Sequence, residues 1–556
     1  MPATDVSHTD TLHRALRAID ERTYWSAFPE HPKAYGDDAP AAGEAEFNAL
    51  LGTAFETGQA HDGFVSVDEV SPYGLALGIS YPATTVDRVI ADATTALDSW
   101  RRTTPDERAE VCLEILDRLS DANFTMAHAV MHTTGQSFLM AFQAGGPHAL
   151  DRALEAIAYA YREQARLPAS LRWEKPRGSH RPLVIDKEWI IKPRGVAVTI
   201  GVSTFPTWNG YPGIFASLVT GNPVIIKPHQ ATILPLALLV RAARTVLEEK
   251  GLDPNIVQMI VDEQGKLVAT DLVMRPEVGI VDYTGGSAFG DWLEANVHHA
   301  EVYTEKAGVN SVIVDSADDL RGVFRNLSVS MTMYSGQMCT TPQNLFVPAE
   351  GVPTKDGVVS YDEVVEGFVA AIDGLLGDEA RAAGMLGAIK GTATLERIAA
   401  AEAAGTVLAT SRRVANPDFP DATVRTPTIV AVEGSDRDTY MSEMFGPIIF
   451  VVRTASRDES IELATEAAKK AGAITWLAYA TDPEAIDAII DAAVDAGVSV
   501  AFNLTGGLFV NQSAAYSDFH VTGANAAGNA SLTDPAFVTG RFRVIGVRTE
   551  PHPDNS

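Results

Sequence analysis

The sequence predicts an α/β protein built on two doubly wound, mostly parallel sheets, with further strands outside them. Three observations lead there. From Gly195 to about His298, short buried apolar runs alternate with amphipathic helical stretches, and the alternation resumes from Val312 to Phe502. Strand–helix–strand repeats with right-handed crossovers close into parallel sheets whose faces are covered by helices. One of only two cysteines in 556 residues stands between a helical and a strand-like segment, in Tyr334-Ser335-Gly336-Gln337-Met338-Cys339-Thr340-Thr341-Pro342.

Composition narrows the class. The chain is long enough for two or more domains. With 46% hydrophobic and 21% charged residues it reads as a soluble, folded protein. Its 43 basic and 72 acidic side chains give a net charge of −29, which opposes nonspecific binding to nucleic acid or an anionic membrane. Two cysteines exclude a disulfide framework and a thiolate-rich metal site, so no metal is expected. Met1-Pro2-Ala3-Thr4-Asp5 lacks a basic and apolar leader, and no apolar run approaches a membrane span. A cytoplasmic location is expected.

Residues 1–60 read as a peripheral helical extension, with helices over Thr11–Ala27 and Ala42–Phe55 and no chemistry. Thr85 to Leu167 is mostly helical, and Val86, Val89, Ile90, Ala93, Leu97 and Trp100 share one face. Thr104-Pro105-Asp106-Glu107 spells an N-cap, a first-turn proline and a capping-box glutamate. Cys112 follows one turn before Leu116 and reads as core. Trp173–Arg181 is rich in turn and basic residues, and Ile185–Lys192 alternates weakly as a strand.

The first alternating set has strands at Gly195–Gly201, Asn222–Lys227, Ile256–Val261 and Val278–Tyr283. Its helices lie at Pro212–Thr220 and Pro235–Lys250, and Gly285 to Gly290 opens another. Ligands of such sheets bind at the carboxyl ends of the strands. The loops Ser203–Gly210, Pro228–Thr232 and Tyr283–Gly290 are therefore candidates. The second set has strands at Val312–Val314, Leu345–Val347, Ile429–Val432, Ile448–Val452, Ile474–Ala480 and Val498–Phe502. Helices at Leu320–Met333, Tyr361–Leu376, Thr394–Ala404, Glu459–Ala471 and Pro483–Ala496 separate them. Phe542–Val547 is strand-like and could pair with another chain.

Each candidate residue has a chemical and a structural reading. A loop cysteine beside glycine suits a nucleophile, because a thiolate needs access and nearby N–H groups; Cys339 could equally be a buried thiol. Glu305, at the hinge between the two sets, could deprotonate a thiol or a water. The Asn209 amide could donate to a developing oxyanion, or form an Asx turn or cap before Pro212. Lys227 ends a buried strand with a charge that needs a ribose, a phosphate or an ion-pair partner. Gly285 to Gly290 could bring backbone N–H groups to a phosphate, though it is not the usual G-x-G-x-x-G.

Taken together, the motifs resemble the aldehyde dehydrogenase superfamily over roughly residues 60–545. They are Trp208-Asn209, Gly221-Asn222-Pro223-Val224-Ile225-Ile226-Lys227-Pro228, Thr284-Gly285 to Gly290, Glu305 to Gly308, Gly336-Gln337-Met338-Cys339 and Glu443-Met444-Phe445-Gly446-Pro447. The resemblance implies a dinucleotide-binding domain over 61–304, with a return segment at about 503–535 and an oligomerisation strand at about 173–193. It also implies a catalytic domain over 305–502 and a C-terminal oligomerisation strand and tail over 536–556. Cys339 would be the nucleophile, Glu305 the base and Asn209 the oxyanion donor. Ser203, Thr204, Lys227, His229, Gln230, Gly285, Gly286, Gly290, Glu443 and Phe445 would hold the cofactor.

Some positions depart from the family pattern. Lys306 and Ala307 replace a leucine and a glycine beside the base, and Gly286 replaces the phosphate-turn serine. His229-Gln230 stand where many members have Ser-Glu; without that glutamate NADP⁺ is the expected cofactor, with NAD⁺ the alternative. Phe519-His520-Val521-Thr522-Gly523-Ala524-Asn525 replaces a common Pro-Phe-Gly-Gly stretch. With Lys227-Pro228-His229 it is similar to the phenylacetic acid degradation branch, the PaaN/PaaZ type, here without a fused hydratase domain. That resemblance implies oxidation of a CoA-linked semialdehyde by a homodimer or homotetramer. A CoA-acylating dehydrogenase, a Cys-dependent ester or thioester hydrolase and a non-catalytic relative are the alternatives. Arg172, Lys175, Arg177 and Arg181 are candidates for a basic CoA patch.

Overall fold

Five short runs rich in β-branched residues form one parallel sheet. Their order is Val257–Met259, Val224–Lys227, Val196–Ile200, Val278–Gly285 and Glu301–Lys306. Val196–Ile200 and Val224–Lys227 are buried throughout, as expected of strands covered on both faces. The chain begins at Val196–Ile200, builds outward on one side, then returns to build on the other. The strand order therefore reverses between Val196–Ile200 and Val278–Gly285, where such sheets receive ligands. The computed structural model behind this description covers residues 7–551 except 68, 264, 307, 511–515 and 517–519. Ala307 and Phe519, singled out in the motifs, lie outside the described residues, as does the end of the C-terminal tail.

The second sheet has seven strands, ordered Thr406–Ala409, Thr428–Glu433, Ile448–Thr454, Pro342–Pro348, Asn310–Val314, Thr475–Tyr479 and Ser499–Phe502. Only the edge strand Thr406–Ala409 is antiparallel to its neighbour. One sheet ends at Lys306 and the other begins at Asn310. The carboxyl edge of the first sheet thus faces the amino edge of the second. A third, antiparallel sheet of Phe542–Thr549, His180–Pro193 and Ser170–Arg177 stands largely in solvent. No helix among the described residues is long and apolar enough to cross a membrane.

Several elements differ from expectation for local reasons. The helix expected at Pro212 begins at Pro206 and carries Pro212 inside it; Pro206 occupies the first turn, where its fixed φ favours helix. Glu305 lies within the strand Glu301–Lys306 rather than in a hinge. The stretch Trp173–Arg181 is not a turn-rich segment but a strand and hairpin, Ser170–Arg177 returning through His180. Every residue of Ser170–Arg177 is exposed, so it carries no apolar alternation to read. Phe542–Thr549 pairs with His180–Pro193 of its own chain. Within the N-terminal extension the helices are His8–Glu21 and Ala39–Leu50, and Leu12, Ala15, Ile19 and Phe47 join the main core. Cys112 is fully buried, as a core residue, and the Thr104/Glu107 capping box forms.

Arg541 joins the exposed sheet to the parallel one. Its guanidinium donates to both oxygens of Asp282 at 2.8 and 2.6 Å, and also to Ser217 Oγ at 2.7 Å. It is fully buried and lies over the rings of Tyr303 and Phe537. Gly213 is required opposite, since a Cβ there would lie 2.5 Å from the Asp282 carboxyl carbon. Removing one member of such a pair strands the other charge. Arg541→Ala should lower stability by about 3–5 kcal/mol, read from urea denaturation midpoints, whereas Arg543→Ala on the exposed side should stay within about 0.5 kcal/mol.

Candidate active site

The loop that leads to Cys339 begins where the helix Leu320–Thr332 stops. Tyr334, Ser335 and Gly336 then take φ of 52°, 50° and 63° in succession. Left-handed backbone at two non-glycine residues costs about 1–3 kcal/mol each, so the surroundings must hold it. Tyr334 Oη donates to Thr134 O at 2.5 Å, and Ser335 Oγ reaches Leu386 O at 3.1 Å and Arg425 O at 3.2 Å. Gln337 donates to Tyr334 O and Ala388 O at 3.2 and 3.1 Å, and accepts from the Lys390 N–H at 2.8 Å. Gly336 is obligatory twice over: its φ favours glycine, and a Cβ there would lie 2.3 Å from Gly446 O.

Cys339 follows, partly exposed, immediately before the strand Pro342–Pro348. It therefore sits at the amino end of its sheet. Asn310, unremarked in the sequence, fixes it: its amide donates to Cys339 O at 2.7 Å and Thr341 O at 3.2 Å. The Asn310 Oδ1 accepts from the Ile474 and Thr475 N–H groups at 2.9 and 3.1 Å.

Glu305 comes from the opposite sheet edge and is 4% exposed. Asn209 Nδ2 donates to its Oε1 at 2.7 Å, and His520 Nε2 lies 2.6 Å from the same oxygen. Ligand atoms of Glu305, Cys339 and His520 all lie within 4.8 Å of one another. The structure thus brings together Cys339, Glu305 and Asn209, and adds His520. Burial pushes the Glu305 pKa up, but His520, Arg152 and Asn209 outweigh it and hold the carboxyl below its usual value. Burial and the adjacent carboxylate push the Cys339 thiol well above its usual value. Lys306, beside Glu305 on the strand, points the other way and pairs with Asp291 and Glu294 at 2.8 and 2.9 Å.

Cys339 lies at the foot of a cavity of about 590 Å³. Met140, Met333, Met338, Met385, Phe205 and Trp208 make its walls mainly apolar. Glu30, from the N-terminal extension, also lines it and pairs with His148 at 2.9 Å. That contribution from residues 1–60 carries no sequence signal.

The expected cofactor residues scatter over both sheets. Gly285 and Gly286 end the strand Val278–Gly285 and start the helix Ser287–Asn296, and a Cβ at Gly286 would meet nothing within 4 Å. Open space over a helix N-terminus at the reversal of strand order fits a dinucleotide phosphate. Gly290 instead makes room for the Lys306 stem, 2.5 Å from where its Cβ would lie. Ser203 and Thr204 follow the strand Val196–Ile200, and Ser203 O accepts from Thr232 Oγ1 at 3.1 Å. Lys227 Nζ is paired with Asp262 in a buried contact. His229 Nδ1 accepts from the Ala231 N–H, while Gln230 is exposed. Glu443 and Phe445 line a small pocket with Gly308 and Met338. Burial pushes the Glu443 carboxyl up to about 7, against the Arg397 charge and the Gly308 N–H.

These features define a class: a loop cysteine and a buried carboxylate brought together between two sheets, beside a dinucleotide-type crevice. The aldehyde dehydrogenase family profile matches residues 76–500, and the chain belongs to that family, an oxidoreductase with its fold. It is 51% identical to an NAD-dependent aldehyde dehydrogenase from Burkholderia multivorans of known crystal structure. That likeness covers 98% of each chain with a TM-score of 0.96. It is 26% identical to 1-pyrroline-5-carboxylate dehydrogenase 1 of Halalkalibacterium halodurans over 387 residues, 68% of this chain and 70% of that protein. The NADP-dependent glyceraldehyde-3-phosphate dehydrogenase of Bacillus halodurans, complexed with NADP, shares the fold at 20% identity and a TM-score of 0.68. There 88% of this chain and 96% of that one are covered.

Gly336→Ala should reduce turnover by about a hundredfold or more, because displacing the loop by an ångström misplaces the nucleophile. Steady-state rates and the rate of Cys339 alkylation check it; unchanged values for both would contradict this account of the loop.

Proposed function

We propose that the enzyme oxidises a semialdehyde with an extended apolar chain to its carboxylic acid, using water as the final acceptor. The observation that carries this is the meeting of Cys339, Glu305 and Asn209 at the foot of the apolar cavity. Glu305 takes the thiol proton and releases it to solvent, and Cys339 attacks the aldehyde carbon, forming a C–S bond as the C=O π pair moves to oxygen. The second N–H of the Asn209 amide, without a protein partner among the described residues, donates to the resulting oxyanion. Bound nicotinamide dinucleotide would accept the hydride and leave a thioester on Cys339. Glu305 then takes a proton from water, the water oxygen bonds to the carbonyl carbon, and the C–S bond breaks. Gly285 and Gly286 would meet the pyrophosphate, Ser203 and Thr204 border it, and Glu443 with Phe445 would hold the nicotinamide ribose.

The substrate reading rests on the cavity and on the resemblance to the phenylacetic acid degradation branch. Glu30 opposes a substrate carboxylate, and no lysine or arginine lines the cavity among the described residues. A glutamate-type semialdehyde fits poorly, whereas the apolar arm of a CoA-linked semialdehyde fits, with its nucleotide outside. Of the basic-patch candidates, Arg172 is paired with Asp186, while Lys175, Arg177 and Arg181 stand exposed on the same sheet. The same sheet exposes Leu171, Trp173, Leu183, Ile190 and Ile545, which supports a homo-oligomer, in the cytoplasm.

For the cofactor, Asp262 alters the balance drawn from Gln230. It places a buried acid beside Lys227 at the strand ends, where an acid favours a free ribose 2′-hydroxyl over a 2′-phosphate. NAD⁺ is therefore the proposed preference and NADP⁺ the second. Asp262→Ser should strengthen NADP⁺ relative to NAD⁺ by tenfold or more in dissociation constants from tryptophan fluorescence; an unchanged ratio removes Asp262 from that role.

The test of the reaction follows reduced-nicotinamide absorbance with medium-chain apolar and CoA-linked semialdehydes, identifying products with and without free CoA. Acid as product in both, lost in Cys339→Ala and reduced about a hundredfold in Asn209→Ala, is expected. A CoA thioester product would make the acylating reading correct. Cys339-dependent ester hydrolysis without any reduction would favour the hydrolase.

A further inference from the structure

His520 is a titratable side chain beside Cys339 and Glu305 that the reaction above leaves without a task. It is 5% exposed, and Trp208 packs edge-on against its ring at 4.8 Å between centroids. Arg152 in turn lies 3.9 Å over Trp208. Nε2 lies 2.6 Å from Glu305 Oε1 as an ion-pair contact, and neither ring nitrogen makes a hydrogen bond of regular geometry among the described residues.

The backbone that carries it is anchored from both sides. Asn525 donates to Ala473 O and Gly497 O at 2.9 and 2.7 Å. The Lys306 N–H donates to Ala527 O at 2.6 Å, and Asn529 brackets Thr304 and Val302. The segment that follows His520 is thus stitched along the strand that bears Glu305.

We infer that His520 is a positioning residue for hydrolysis of the thioester: it holds the Glu305 carboxylate toward Cys339, where water is activated. This rests on the hydrolytic reading above. The water proton passes to Glu305, its oxygen adds to the thioester carbon, and Cys339 leaves as the thiolate that recovers a proton for the next cycle. Groups facing the carboxylate are His520, Asn209, Arg152 and Cys339. Without His520, burial opposes only Arg152 and Asn209, so the carboxyl titrates at higher pH and the acid limb of hydrolysis moves up.

The experiment uses p-nitrophenyl acetate, which acylates Cys339 without any nicotinamide, on the full chain. Acylation is read as the p-nitrophenol burst, and deacylation as the steady rate and the lifetime of the acetyl adduct by mass spectrometry. In His520→Phe the burst should persist while deacylation falls tenfold or more and its acid limb shifts to higher pH. His520→Gln, whose amide can donate to Glu305, should recover most of the rate. Deacylation and acid limb unchanged in His520→Phe would overturn the proposal. So would equal losses of burst and deacylation in both variants, which mark a merely structural role. Absence of any burst in wild type would instead reject Cys339 as an accessible nucleophile, and the hydrolytic reading with it.

Discussion

The structure depends on how abruptly one sheet gives way to the other. The strand that carries Glu305 ends at Lys306, and the next begins at Asn310, so the carboxyl edge of one sheet is pressed against the amino edge of its neighbour. Glu305 arrives from the first edge; Asn310 fixes the Cys339 loop to the second. Neither sheet alone holds a complete site, and the short crossing leaves little freedom for base and nucleophile to separate.

That constraint explains where polar groups are tolerated in the interior. Lys306 and Glu305 are neighbours on one strand and point to opposite faces, as the period of two requires. One is satisfied by Asp291 and Glu294, the other by Asn209 and His520. The loop before Cys339 holds three successive left-handed residues, secured by hydrogen bonds from Tyr334, Ser335 and Gln337. Strain at the nucleophile is balanced by a rigid frame. The cavity above it, with four methionines in its walls, is the adaptable part, since unbranched thioether side chains adjust to different apolar shapes.

Much of this was legible in the sequence, for identifiable reasons. Buried parallel strands announce themselves as apolar runs, and Val196–Ile200, Val224–Lys227 and Ile448–Thr454 were readable in that way. The Tyr334–Pro342 stretch was readable because turn residues surround a rare cysteine. The strand Glu301–Lys306 was not, because it lies at an edge and Val302 is its one aliphatic residue, so no apolar run marks it. Ser170–Arg177 was not, because exposure on both faces erases any pattern. The pairing of Lys227 with Asp262, the arrival of Glu30 in the cavity and the contact of His520 with Glu305 join residues far apart in the chain. Local periodicity contains no information about such meetings; only the assembled sheets create them.

The central claim is that Cys339 carries the substrate as a thioester that Glu305 helps water to remove. Intact-protein and peptide mass spectrometry on Glu305→Gln, quenched during turnover with aldehyde and NAD⁺, tests it most directly. The account predicts an adduct on Cys339 with the mass of the aldehyde less two hydrogens, accumulating to stoichiometry while acid formation stops. Turnover at the wild-type rate, or an adduct on any other residue, would contradict it.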